Sequence, residues 1–386
     1  MWKNSGAGRG KVNNINYSLY KVSHGLKPWL TYFCNMQVEY LVIGQGICGT
    51  FLSWELQKNN QSFVVIDESK PLTASKAASG IINPVTGRRI VKTWMIDELM
   101  PLAWEAYQSF GASIGISCIS QQPIIDFFTT PQMRLAFLDR FEKDQQYLSL
   151  PQHENDWLPF MNYDFGYGII QPAYLIDIRL LLSAQRKKLV LENNLREQRF
   201  DAAQLVIKEN SVAYKDISAA KIIFCDGIAG YNNPFFPNLP YGLNKGEVIL
   251  VEIPGFPATH IVKKGYSLVP WSPGVFWLGS TYLWEFDNDQ PTKGFHQFAE
   301  NWLQQTIKMP FKILDHWASV RPATLERKPF VGMHPADKKL CILNGMGTKG
   351  CSLAPFFAKQ LVNHFLNAEP IAPDADVQRF KKILSL

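Results

Sequence analysis

LVIGQGICG, residues 41–49, closes an apolar run that begins at Val38 and opens what reads as a helix reaching about Lys58. A buried strand, a glycine turn and a helix in that order form a cradle for a pyrophosphate. Gly44 permits the tight turn, Gly46 lets the backbone approach the anion, and Gly49 lets helix and strand pack closely. Gln45, Ile47 and Cys48 between them present their backbone at the helix N-terminus, where free N–H groups favour negative charge. Cys48 itself reads as a small packing residue.

The spacing alone is a weak signal, and its surroundings strengthen it. The next apolar run, Phe63 to Ile66, ends at Asp67. That is near the offset of roughly 20 residues at which an acid accepts hydrogen bonds from a ribose. The loop ASKAASGIINPVTGRR, residues 74–89, then follows where a nicotinamide enzyme continues through further strand–helix units. Small residues let a chain close over a bulky cofactor. Ser75, Ser79 and Gly80 are candidates to face its phosphate or ribityl oxygens, the alternative being a plain surface loop.

Further along, Trp94 to Phe110, Gln132 to Gln146 and Tyr174 to Lys188 have helical spacing, the last through Leu175, Ile178, Leu181 and Leu182. Short strands are predicted at Leu205 to Ile207 and Val212 to Tyr214. KIIFCDG, residues 221–227, is a strand whose end, with Cys225 and Gly227, again suits a close cofactor. From Tyr241 to Trp284 the pattern turns β-rich, with KGEVILVEI, SLVPW and VFWLGSTYLWEF as strands and Trp271, Trp277 and Trp284 as expected core.

Composition sets the outer limits. The 386 residues are 46% hydrophobic and 19% charged, which suits two or three globular domains and excludes a disordered or coiled-coil chain. No window approaches the roughly 18 apolar residues of a membrane span, so no membrane partner is expected. The net charge of +6 is misleading: residues 1–35 hold Lys3, Arg9, Lys11, Lys21 and Lys27 without an acid, leaving +1 for the rest. Those residues read as a disordered leader, either an upstream extension or a weakly matching transit peptide. A near-neutral body argues against a nucleic-acid partner. Six scattered cysteines without a C-x-x-C pair favour a reduced, cytoplasmic setting. Seven histidines show no metal-ligand spacing, so no metal is expected.

Taken together, LVIGQGICG with Asp67, ASKAASGIINP, KIIFCDG, GSTYLWEFDNDQPT (279–292), RPATLERKPFVG (321–332) and GMGTKGCSLAP (345–355) resemble the family of D-amino-acid, glycine and sarcosine oxidases. The likeness runs from residue 38 to about 366. It implies a mixed α/β fold: a discontinuous Rossmann-like FAD-binding domain (36–85, 170–232, 315–386) and a smaller mixed-sheet substrate domain (86–169, 233–314). It implies an FAD-dependent oxidoreductase that oxidises a primary or secondary amine, an amino acid or N-substituted amino acid, by hydride transfer to the flavin. Oxygen or another acceptor would reoxidise it.

The resemblance also assigns roles. Arg321 would hold a substrate carboxylate, a planar guanidinium making two parallel bonds; the alternative is a structural ion pair. By its own physical logic the stretch Gly347, Thr348, Lys349 and Gly350 lets backbone approach a flat ring, with the helix behind it and Lys349 adding positive charge; the family varies at Lys349, and the alternative there is a solvated loop lysine. Closeness to Arg321 in sequence makes His316 a candidate to border the pocket, the alternative being an ordinary surface or core histidine. Sarcosine oxidases attach flavin through a cysteine near the region matching 321–326; none lies between Cys225 and Cys341, so FAD should be non-covalent. GMGTKGCSLAP is also similar to a stretch in the flavin-dependent half of a bifunctional tRNA wobble-uridine enzyme, which gives a second reading. A non-catalytic flavin-binding protein is a third.

Overall fold

A computed structural model describes residues 36–385, so the leader lies outside the described residues. Two eight-stranded sheets dominate it. In the first, Met36–Ile43 is central, pairing in parallel with Phe63–Asp67 on one side and Ile217–Phe224 on the other. Residues 40–43 are wholly buried, as expected of a parallel strand covered on both faces. Leu195–Glu197 adds in parallel beyond Phe63–Asp67, and Leu340–Asn344 beside the end of Ile217–Phe224. The predicted hairpin Leu205–Ile207 and Val212–Tyr214 extends the sheet antiparallel, pairing with the first residues of that same strand.

The helix Ile47–Lys58 lies against the long helix Gly350–Asn367. A Cβ at Gly350 would stand 3.2 Å from Ile47 Cγ2, so the starts of the two helices touch.

The second sheet runs in the order Lys312–Arg321, Asn244–Glu252, Val275–Gly279, Tyr266–Ser272, Ile261–Lys264, Ile124–Phe127, Tyr167–Ile170, Leu148–Ser149. Its strands alternate as a sheet packed on both sides must. Val248, Leu250, Ile261, Val269 and Trp277 join the large core shared with the first sheet's helices. Ile249, Val251, Val262, Leu268 and Phe276 turn the other way, against Phe295, Ala299 and Leu303 of the helix Lys293–Thr306. Lys312–Arg321 lies wholly in this sheet, so the boundary expected at 315 falls inside a strand.

Three expectations need correction. Tyr174–Ile176 is a strand, paired with Ile119–Gln121 and Ile81–Ile82; the helix starts at Ile178, capped by Asp177 Oδ1 on the Leu180 N–H. TYLWEF is not a strand: after Gly279 the chain leaves the sheet as a loop, keeping an isolated bridge from Leu283 to Lys245 and a bond from Thr281 N to Glu247 O. Trp284 is accordingly 47% exposed rather than core, whereas Trp277 is buried.

Candidate active site

A cleft of about 1200 Å³ runs between the two sheets, and its lining includes both Gln45 and Thr348. The glycine turn forms one wall. Gly44 has φ +94°, and a Cβ there would stand 2.5 Å from Cys225 O, so turn and strand end are in backbone contact. The helix that follows starts at Gly46 without a side-chain cap. Of its first N–H groups, Ile47 N donates to Ser75 Oγ at 3.0 Å, which brings the 74–89 loop onto the turn.

Asp67 is already engaged. Its carboxylate accepts from Gln45 N (2.9 Å), Ser69 N (2.8 Å) and Arg186 Nη1 (2.8 Å), and Arg186 also reaches Gln45 Oε1 and Glu197. Arg186 escapes sequence reading because it stands on a helix far from the motif it completes. Ser79, Cys225 and Gly227 line the cleft; Gly49 and Gly80 do not. A Cβ at Gly49 would overlap Gly44 O and one at Gly80 would overlap Ile176 O, so both glycines serve close packing.

Gly347, Thr348, Lys349 and Gly350 form the opposite end, where the helix Gly350–Asn367 also begins without a side-chain cap. Lys349 is half-buried, and among the described residues its ammonium makes no hydrogen bond or ion pair. Burial, and then the cations Arg327 and Lys328, hold its ammonium below the usual lysine range.

Arg321 ends the edge strand of the second sheet and extends over Gly246, where a Cβ would overlap the guanidinium. It donates to Asn244 Oδ1 (2.5 Å), Ser280 Oγ (2.7 Å) and Thr281 O, and its guanidinium sits 5.7 Å from the Tyr282 ring. All these acceptors are neutral. No carboxylate pairs with it among the described residues, and burial lowers its pKa. The structural ion pair is therefore not what holds it.

His316 is in the cleft lining, yet its imidazole turns to the far face of its strand. There Nε2 lies 3.1 Å from Glu247 Oε2, and the ring packs on Phe295 and His296. Glu247 is fully buried, also accepting from Thr292 N and Oγ1. Among the described residues no cluster suits a metal ion.

Residues 39–364 match the DAO family, described as FAD dependent oxidoreductase. The chain belongs to that family. It is 24% identical over 371 residues to the tRNA 5-methylaminomethyl-2-thiouridine biosynthesis bifunctional protein MnmC of Acinetobacter baylyi, covering 90% of this chain and 56% of that protein. The chain thus spans about half of that relative. Against glycine oxidase of Bacillus subtilis it is 26% identical over 368 residues, 86% of this chain and 94% of the other. The crystal structure of glycine oxidase from Bacillus cereus superposes with a TM-score of 0.72 at 16% identity, covering 86% of this chain and 96% of that one, a likeness of fold.

The cleft fits the cofactor of the DAO family. Two uncapped helix N-termini and two glycine turns converge on one space, which suits a long anionic ligand held by backbone. FAD binding by this chain would fall to Gly44–Cys48, Ser75 and Asp67 at one end and Gly347–Gly350 at the other.

Proposed function

We propose that this FAD-dependent oxidoreductase oxidises an amino acid or N-substituted amino acid, with Arg321 as the anchor for its carboxylate. One observation carries the reading: a half-buried guanidinium, aimed along the cleft wall, has only neutral partners among the described residues. Such a cation suits an anionic ligand. Bound in the cleft, FAD supplies the acceptor for the hydride equivalent lost from the amine's α-carbon. Arg321 and the loop from Ser280 fix the substrate's orientation, while Val248 and Trp277 wall off water. Orientation and dryness are the main requirements, so no side chain need take a proton from carbon. The imine product then hydrolyses in water.

The division into two domains follows the same reading, with the second boundary moved to about 322 so that Lys312–Arg321 stays whole. Non-covalent attachment is supported by the thiols lining the cleft. Burial pushes Cys48 and Cys351 up to about 12 and Cys225 well above its ordinary value, leaving no ready nucleophile. Five buried free cysteines among the described residues accord with a cytoplasmic setting. No described helix is long and apolar enough to cross a membrane. Oxygen or another carrier takes the electrons onward.

The test is an anaerobic screen of amines against the FAD-loaded protein, watching the yellow band. Bleaching by carboxylated amines supports the reading; a flavin that no amine bleaches favours the non-catalytic alternative. The likeness to the tRNA-modifying relative favours a second reading, a secondary amine carried on tRNA. Salt-sensitive retention of tRNA by the protein would support it.

A further inference from the structure

Two part-buried carboxyls line the cleft beside the glycine turn, and their surroundings differ. Asp67 accepts from Arg186 Nη1 as well as from two backbone N–H groups, so a cation offsets its charge. Asp226 has no such partner. It follows Cys225 at the end of the strand Ile217–Phe224, and its Cα would stand 3.2 Å from a Cβ on Gly44, so it abuts the turn. Its Oδ1 accepts from Asn344 Nδ2 at 2.8 Å and its Oδ2 from Asn233 Nδ2 at 3.2 Å, both neutral amides. A Cβ on Gly230 would crowd Asn344 Nδ2, Tyr241 Oη and Asp226 Oδ1 together, so the carboxyl is tightly enclosed on that side.

The titratable groups facing Asp226 are Cys48 on the helix after the turn, Cys225 on its own strand and Tyr241 just before the strand Asn244–Glu252. Burial holds all three neutral, and among the described residues no cation acts on the Asp226 carboxyl. Cys48 senses that carboxylate: after burial, its charge is what raises the thiol. Cys48 belongs to the first turn of the helix whose free N–H groups would hold a pyrophosphate. An anion seated there is therefore within electrostatic reach of Asp226.

We propose that Asp226 takes up a proton from solvent when FAD binds, so that the pyrophosphate meets a neutral acid instead of a second anion. A like charge in the same site favours the protonated carboxyl, and no group around Asp226 offsets the charge the cofactor brings. As a neutral acid, Asp226 still accepts from Asn233 and Asn344 and gains an O–H of its own. Burial already leaves the carboxyl near 6 without cofactor, a short way below neutral pH. The FAD-bound form then holds more protons than the free form, so affinity is greatest at low pH and falls as pH rises above about 6. The inference rests on FAD lying with its pyrophosphate at Gly44–Cys48.

The test is calorimetry of FAD binding to the cofactor-free protein near neutral pH, in phosphate and in Tris, buffers whose heats of ionisation differ. The difference counts protons, since FAD itself does not titrate near neutral pH. We expect uptake of about half a proton, and a Kd about tenfold weaker at about pH 8 than at about pH 6. Asp226→Asn should bind FAD without uptake and with nearly constant affinity over that range. Lys349 is the rival source, because burial and then Arg327 and Lys328 hold its ammonium low; Lys349→Met should leave the uptake in place. Uptake that survives in Asp226→Asn or vanishes in Lys349→Met overturns the proposal, and either variant decides alone if the other fails to fold. FAD that binds without uptake overturns it while the cofactor site stands. If FAD binds at no pH, both fall.

Discussion

The two walls of the cleft are built by different means. The cofactor wall is built around glycines and backbone N–H groups: Gly44 against the Cys225 carbonyl, Gly46 and Ile47 N against the Ser75 hydroxyl, Gly350 against the Ile47 side chain. The wall proposed to meet substrate is made of side chains set in rows by strand pairing, with Arg321, Gly246 and Ser280 at one end and Lys263 at the other. Backbone recognition is written in contiguous stretches, because a turn and its glycines are neighbours in the chain. Side-chain recognition is written in register, which no single stretch contains.

The sharpest way to break this contrast is Gly44→Ala. It would combine a left-handed φ of +94° with a Cβ 2.5 Å from Cys225 O, so we expect a loss of about 4 kcal/mol in stability and little retained FAD. Thermal unfolding and the flavin absorbance of purified protein measure both. A variant that keeps its flavin would show that the wall does not depend on close backbone approach.

On the opposite wall, Arg321→Met should lower kcat/KM for carboxylated amines by roughly a hundredfold, with flavin content unchanged. Gly246→Ala should act in the same direction but more weakly, roughly tenfold, since its methyl group displaces the guanidinium without removing it. Steady-state kinetics beside a flavin-to-protein ratio separates the two walls. If Gly246→Ala sheds flavin as Gly44→Ala does, they are not independent.

A smaller effect belongs to Asp226, beside the glycine turn. Burial pushes its carboxyl up to about 6, against the opposing hydrogen bonds from Asn233 and Asn344. Between its ordinary value of 3.8 and about 6 the folded chain holds a proton that the unfolded chain has released. Stability of the cofactor-free protein should therefore fall as pH rises through that window, by up to about 1.4 kcal/mol per pH unit. Asp226→Asn should flatten the slope in denaturant titrations. An unchanged slope would assign it to another group.

The same contrast explains what the sequence discloses. The glycine turn, Asp67, the Cys225–Gly227 strand end and the Gly347–Gly350 loop can be found by eye, since each lies in one short stretch and meets the others in the cleft. Arg321 is legible through the family likeness. Asn244, Ser280 and Lys263 are not, because only pairing across the sheet brings them together. Periodicity also misleads at edges. Leu175 falls in phase with Ile178, Leu181 and Leu182, yet Tyr174–Ile176 completes a three-stranded sheet and the helix waits for its Asp177 cap. The helix Lys293–Thr306 carries a plain signal, Thr292 as cap with Phe295, Ala299 and Leu303 following at helical spacing. The apolar run through Trp284 hides that the sheet ends before it.

Contact between Ile47 and Gly350 also bears on how the protein is made. On the ribosome the first of these residues emerges about 300 residues before the second. At ordinary translation speeds that is a delay of roughly 15 to 60 s. A nascent chain therefore carries half a clasp through most of its synthesis. Flavin loading therefore waits until both stretches have emerged, and a chain terminated before Gly347 lacks one end of the cleft.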